Sequence, residues 1–344
     1  MITTATTPTI ALLFPGQGSQ SVGMGRALYD ASPAARAVFQ EADDALNFPL
    51  SDIIFNGPED TLKLTEHTQP AILTVSIAAL RVLEPALAAR NLSIAYAAGH
   101  SLGEYSANVA AHTFSFADAV RTVRARGQFM QSAVPAGQGA MAAILGLNIA
   151  DIEATCQGVT AQFRDVEGQP NEIVSTANLN SPDQTVISGS VAAVTRAAEL
   201  CKELGAKRTV MLPVSAPFHC PLMMPAQLQL AEQMASVAFQ TPRFPVAANI
   251  DARLLMQPND IRDALVRQVT GAVRWVDCIN QLRLSNVTHY IEVGPGKVLT
   301  GLNRQILKQA LETEARSLST TNVEDPASLE KTLAILSETI TNPD

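Results

Sequence analysis

The pentapeptide Gly99-His100-Ser101-Leu102-Gly103 is where residue type and spacing first suggest covalent chemistry. The apolar stretch Ile94–Ala98 precedes it and an Ala-rich helical pattern follows. A strand, then Gly-x-Ser-x-Gly, then a helix is the order of a nucleophile elbow. Its glycines permit a turn too tight for side chains, which leaves the serine hydroxyl exposed at the carboxyl edge of a sheet. The helix that begins there favours a developing anion, and the Leu102 N–H can donate to it. The bland alternative is an ordinary strand-to-helix turn.

A serine hydroxyl needs a base before it attacks, and the chain has five histidines, few enough to compare one by one. His100 adjoins Ser101 on the sharp turn, so its ring is expected to point away and to pack or hydrogen-bond beneath the elbow. His67 precedes a helical pattern and His112 follows one, settings that suit surface or capping residues. His289 stands just before a strand, with no neighbouring chemistry. His219 lies in Ser215-Ala216-Pro217-Phe218-His219-Cys220-Pro221, where flanking prolines stiffen a loop enough to hold a base in place. A structural histidine remains the alternative there. None of the carboxylates between Ser101 and His219 has a setting that suggests burial beside a histidine. A backbone carbonyl would orient the ring equally well, since the Nδ1 proton needs only an acceptor. The pattern is that of a Ser–His dyad. Arg121 and Arg124 have helical spacing and read as solvated charges. Arg126 enters a more apolar segment, where a buried guanidinium would need an anionic partner such as a bound carboxylate.

Those residues need a scaffold. The 344 residues, 47% hydrophobic, suffice for one large core or a core with an insertion. Net charge is −8, which disfavours a general nucleic-acid binder. The opening residues lack a secretory pattern, and no uninterrupted apolar run reaches the ~18 residues of a membrane span. Cys156, Cys201, Cys220 and Cys278 are scattered, form no metal-type pair and suit reduced thiols in the cytoplasm. Thr9–Phe14 and Ile94–Ala98 read as strands, and Ala34–Leu46 and Ala71–Ala89 as helices, with Pro70 in the first turn of the second. Strands alternating with longer helices predict an α/β core with a mainly parallel sheet. From 137 to 211 the rhythm becomes β-α-β-β-α-β, the split order of a ferredoxin-like subdomain. The core then comprises 8–136 and 212–320, and 321–344 forms a C-terminal helix, begun by Asp325-Pro326, and a tail. Arg164–Asn171 reads as an exposed loop.

In order and spacing, several motifs together resemble the bacterial malonyl-CoA:acyl-carrier-protein transacylases. They are Phe14-Pro15-Gly16-Gln17-Gly18-Ser19-Gln20, Thr68-Gln69-Pro70-Ala71, Gly99-His100-Ser101-Leu102-Gly103-Glu104-Tyr105 and Arg126-Gly127 with Met130-Gln131. Further along are Asn178 with Asn180-Ser181-Pro182, Phe218-His219, Val273-Arg274-Trp275 and Glu292-Val293-Gly294-Pro295-Gly296. The resemblance covers nearly the full chain and implies a hydrolase-like α/β core with a ferredoxin-like insertion. It implies that Ser101 is acylated with His219 as general base, and that the N–H groups of Gln17 and Leu102 form an oxyanion hole. It also implies that Arg126 pairs with the malonyl carboxylate and that the Gln268 carbonyl orients His219. Gln69, Asn180 and Phe218 would bind substrate, Asn180 on the coenzyme side, with Phe218 favouring malonyl over methylmalonyl. The partners implied are malonyl-CoA and an acyl carrier protein, the coenzyme A thioester being a substrate and not a cofactor. No metal, nucleic acid or membrane is expected from the residues themselves, and with no long exposed apolar seam in the sequence a monomer is expected. Docking an acidic carrier would call on a local basic patch, with Lys202, Lys207, Arg208, Lys297 and Arg304 as candidates against their reading as plain surface charges. The sequence departs from the family at His112, where glycine is common, and at Asn108, where an apolar residue is usual. A serine esterase, the acyltransferase of a polyketide or malonate decarboxylase system, and a non-catalytic scaffold are the rival readings.

Overall fold

The computed structural model describes residues 8–164, 172–214, 216–313 and 318–341. Two sheets organise them. The first has six strands in the order β10-β9-β1-β2-β7-β8: β1 (Ile10–Phe14), β2 (Ile94–Gly99), β7 (Val246–Ala247), β8 (Leu254–Leu255), β9 (His289–Val293) and β10 (Ser319–Val323). Every pairing in it is parallel except β7 with β8. The central strand β1, Ile-Ala-Leu-Leu-Phe, is wholly buried. Its alternate side chains enter two different apolar clusters, Leu12 and Phe14 on one face, Ala11 and Leu13 on the other. Covering on both faces is what turns a parallel strand into a continuous apolar run.

The second sheet holds β3 (Gly139–Leu145), β4 (Val174–Ser181), β5 (Gln184–Ser190) and β6 (Arg208–Met211) in the order β4-β5-β3-β6, all antiparallel. With helices Ile149–Phe163 and Val191–Glu203 against it, this is the expected βαββαβ unit, with its own core around Ile144, Ile152, Ile187 and Val194. The two sheets meet where Leu179 N–H donates to Val273 O at 2.9 Å and Val273 N–H to Ala177 O at 2.8 Å. The loop anticipated at Arg164–Asn171 lies, beyond Arg164, outside the described residues.

Three expectations are corrected. The helix read from Ala71 begins at Thr65 and runs to Ala88, so Pro70 lies in its second turn. The preceding turn is secured by Leu64 O, which accepts from the N–H groups of His67 and Thr68, and by Thr68 Oγ1 donating to Leu62 O. His67 is therefore inside the helix, its Nδ1 3.0 Å from Thr61 O and its ring stacked on Phe48. By length and mean hydropathy, 1.7, this helix could cross a membrane, but 67% of its apolar window is buried in the fold. The boundary expected at 320 falls within β10, which pairs with β9 as an edge of the large sheet. Beyond it, Asp325 Oδ1 caps the last helix, Pro326–Thr341, by accepting from Ser328 N–H.

Candidate active site

The elbow forms because β2 ends against β1. Cβ atoms added at Gly99 and Gly103 would lie 1.9 Å from Gly103 O and 2.1 Å from Phe14 O, so neither position tolerates a side chain. Ser101 takes φ +53°, a left-handed conformation that costs a non-glycine residue about 1–3 kcal/mol. Asn249, just past β7, braces this turn from both sides. Its Oδ1 accepts from Ser101 N–H at 2.8 Å and its Nδ2 donates to Gly99 O at 2.8 Å.

His219 also sits in the left-handed region, at φ +59°, in the short loop before Pro221. Its Nε2 is 2.7 Å from Ser101 Oγ, and its Nδ1 is 2.9 Å from Gln268 O. A carbonyl only accepts, so Nδ1 carries the proton and Nε2 offers a lone pair to the hydroxyl. Burial first, and the Arg126 charge second, push the imidazole pKa down to about 3, which keeps it neutral.

Arg126 comes from helix Phe116–Ser132, packed on helix Thr65–Ala88, and is 1% exposed. Nη1 donates to Gln69 Oε1 at 2.8 Å, while Nη2 donates to Gln268 Oε1 at 2.9 Å and to Ser101 Oγ at 3.1 Å. No ion pair among the described residues involves it. Burial pulls its pKa down, against the opposing influence of Tyr105, whose ring centroid lies 5.6 Å from the guanidinium carbon, and of Glu104. The hydrogen bonds described for this buried guanidinium all go to neutral oxygens.

Glu104, in the first turn of helix Gly103–Ala110, is 1% exposed. Its Oε2 accepts from Asn249 N–H at 2.9 Å and from Gln268 Nε2 at 2.7 Å. Burial raises its pKa to about 7 against those two hydrogen bonds. Sequence reasoning passed over Glu104 and Asn249. The one charged residue of helix Gly103–Ala110 was a signal for the first, whereas a single asparagine after a two-residue strand gave none for the second.

Ser101, His219 and Arg126 border a cleft of about 490 Å³, which Gln17, Gln69 and Phe218 also line. Leu102 is the residue before the helix and is buried. Gln17 lies beside the elbow because Gly16 presses on it: a Cβ at Gly16 would meet His100 O at 2.5 Å. Among the described residues, neither the Gln17 nor the Leu102 N–H donates to a protein acceptor. His100 packs and hydrogen-bonds, as expected, but it also borders the cleft. Its ring faces the cleft, with Nε2 2.8 Å from Asn180 Oδ1, and packs on Trp275. His100 and Asn180 also wall an adjoining cavity of about 150 Å³ with Gly16, Gln17, Val298 and Leu299.

His112 and His289 lie elsewhere. His112 has φ +60° at the end of helix Gly103–Ala110, a conformation natural to glycine. Asn108, the other departure, is buried but satisfied, with Nδ2 donating to Glu104 O and Oδ1 accepting from Thr113 Oγ1. His289 opens β9, its Nδ1 2.9 Å from Thr288 Oγ1. Among the described residues, no group of three or more His, Cys, Asp or Glu could hold a metal ion.

Residues 11–341 match the model of the acyl transferase domain family. The malonyl CoA-acyl carrier protein transacylase of Bacillus subtilis is 46% identical over 329 residues, covering 96% of this chain and 98% of the relative. The crystal structure of acyl-carrier-protein S-malonyltransferase from Burkholderia pseudomallei superposes with a TM-score of 0.86 at 43% identity, covering 95% of this chain and 99% of the other. A malonyl-transacylase in complex with its type II polyketide acyl-carrier protein gives a TM-score of 0.86 at 41% identity, covering 95% of this chain and 99% of the other. On a likeness that spans nearly the whole chain in sequence and in fold, this protein belongs to the acyl transferase family, among the malonyl CoA-acyl carrier protein transacylases.

Proposed function

We propose that this protein moves a malonyl group from malonyl-CoA to the phosphopantetheine thiol of an acyl carrier protein through a malonyl ester on Ser101, and so supplies fatty-acid elongation. One observation carries the reading: a single hydroxyl lies between a neutral imidazole and a buried guanidinium that has no ion-pair partner among the described residues. The first supports attack by Ser101, and the second selects an acyl group with a free carboxylate.

In the first half-reaction His219 Nε2 takes the Ser101 proton as Oγ bonds to the thioester carbonyl carbon. The carbonyl oxygen becomes an oxyanion, received by the Gln17 and Leu102 N–H groups. When the C–S bond breaks, the coenzyme A sulfur leaves with the proton from His219. The second half reverses these steps: His219 deprotonates the carrier thiol, sulfur attacks the ester, and the serine oxygen regains its proton. Arg126 holds the malonyl carboxylate throughout, so the ester keeps one orientation between the two halves. Gln69 would release Nη1 to that carboxylate, Phe218 would bound the acyl pocket, and Asn180 with His100 would line the coenzyme arm. The reaction calls for no cofactor, since the coenzyme is itself the donor. We place the protein in the cytoplasm as a monomer.

The 41% identity to a transacylase bound to a polyketide carrier supports a second reading that differs only in the carrier. The test is intact-protein mass after brief mixing with malonyl-CoA, comparing wild type with Ser101→Ala. One malonyl adduct in wild type only, discharged by a holo carrier protein, is expected. No adduct, or discharge by water as fast as by carrier, overturns the proposal in favour of a scaffold or an esterase. Fatty-acid and polyketide carriers compared side by side separate the two readings.

A further inference from the structure

The transfer scheme leaves the Glu104 carboxylate unused, although keeping it buried is costly. No ion pair among the described residues involves Glu104, and one oxygen, Oε2, takes both of its described hydrogen bonds, from Asn249 N–H and Gln268 Nε2. The Gln268 amide is the informative partner. Its Nε2 faces three acceptors: Glu104 Oε2 at 2.7 Å, Ser101 O at 3.0 Å and Asn249 Oδ1 at 3.2 Å. Its Oε1 faces Arg126 Nη2 at 2.9 Å. Turning the amide over would set NH₂ against a guanidinium and oxygen against all three acceptor oxygens, each a repulsive contact. Of the three acceptors Glu104 makes the shortest bond and is the only one that can ionise, so it dominates that choice, most strongly when it is charged.

We propose that Glu104 is a positioning residue for acyl transfer: its carboxylate fixes the Gln268 amide so that Oε1 anchors Arg126 where the acyl carboxylate must dock. The proposal rests on the reading of Arg126 as the carboxylate receptor. Gln268 also holds His219 through its backbone carbonyl, so base and receptor share one residue, and Glu104 braces it from below the elbow.

Glu104→Gln retains an acceptor oxygen in the same place, and Glu104→Met removes it at similar volume. The measurement is the rate of Ser101 acylation by malonyl-CoA and by acetyl-CoA, read as intact mass and normalised to the fraction of protein that can be acylated. That normalisation removes any effect of lost fold. Glu104→Met is expected to lower the malonyl-to-acetyl ratio by about tenfold, with Glu104→Gln within about threefold of wild type. In a Gln268→Met background, which keeps the backbone carbonyl, Glu104→Met should add nothing further, because the link is already gone. Should Glu104→Met not fold, Glu104→Asp replaces it, since it keeps the charge but withdraws the oxygen by one methylene. A wild-type ratio in the folded Met or Asp variant overturns the assignment. Failure of wild type to take any malonyl group would overturn the transfer reading instead, so the two failures are distinguishable.

Discussion

Arg126 Nη2 lies 3.1 Å from Ser101 Oγ, the same oxygen that His219 Nε2 approaches to 2.7 Å. In the proposed transfer the guanidinium would serve both the nucleophile and the acyl group it is to receive. Arg126→Ala separates these uses. Malonyl acylation loses a buried charge pair of about 2–5 kcal/mol and should fall by about thirtyfold or more. Acetyl acylation loses only the contact to Oγ and should fall by about tenfold or less. Single-turnover rates with the two donors decide it, and equal losses would refute the carboxylate assignment.

His219 supplies a second prediction. Burial, reinforced by Arg126, puts its pKa at about 3 against an ordinary 6.5. Histidine NMR of the intact protein should show this ring neutral from pH 8 to 5. Arg126→Ala should move its pKa back toward 6.5, because the second-largest depressing cause is gone. A malonyl carboxylate seated on Arg126 would act in the same direction and make the imidazole a better base once the right donor is bound. A His219 signal that titrates near 6.5 in wild type contradicts this account.

The elements that position the site were legible to the extent that their periodicity was. β1 and β2 are apolar runs because both faces are covered, and the βαββαβ order shows in alternating segments of strand and helix length. β7 and β8 have two residues each, too few for any period to appear. β10, Ser-Thr-Thr-Asn-Val, is a half-exposed edge strand without an apolar run. Pro70 marked a helix start one turn too late because the first turn is built by Leu64 and Thr68 through backbone and hydroxyl bonds. Within the site, Ser101, His219 and Arg126 stood out because their chemistry is rare in apolar company. Asn249 and the Gln268 side chain did not, because ordinary amides gain their meaning only from what the fold sets against them.

Asn249 accepts from Ser101 N–H and donates to Gly99 O, so one side chain spans the strained turn at φ +53°. Asn249→Leu leaves both backbone groups without these bonds, at about 1–3 kcal/mol each. Urea unfolding should show a loss of about 2–5 kcal/mol. Acylation of the remaining folded protein should drop more than about tenfold as Ser101 leaves its left-handed conformation. Unchanged stability with unchanged acylation would mean that the turn holds itself.

The buried acids set a pH dependence of stability whose sign can be worked out. Burial lifts Glu104 and Glu292 to about 7 from 4.5, Glu292 while capping helix Val298–Thr313 through the N–H groups of Leu299 and Thr300. Between 4.5 and 7 the native protein holds protons on these acids that the unfolded chain has released. Their contribution is therefore complete below 4.5 and is lost as pH rises through 7. His219, lowered to about 3 from 6.5, works oppositely: its contribution is present above 6.5 and is lost as pH falls toward 3. His100 and His289, also lowered by burial, share that direction. Opposing slopes flatten the wild-type profile across the window they share, so the acid contribution shows only when one member is removed. Glu104→Gln cannot ionise yet keeps an acceptor for Asn249 and Gln268. Its stability relative to wild type should climb by about 2–3 kcal/mol between pH 5 and pH 8. Urea titrations of both proteins at the two pH values measure the change. A difference that stays constant or shrinks as pH rises would show that Glu104 is already ionised at pH 5, with the Asn249 and Gln268 hydrogen bonds outweighing the cost of its burial.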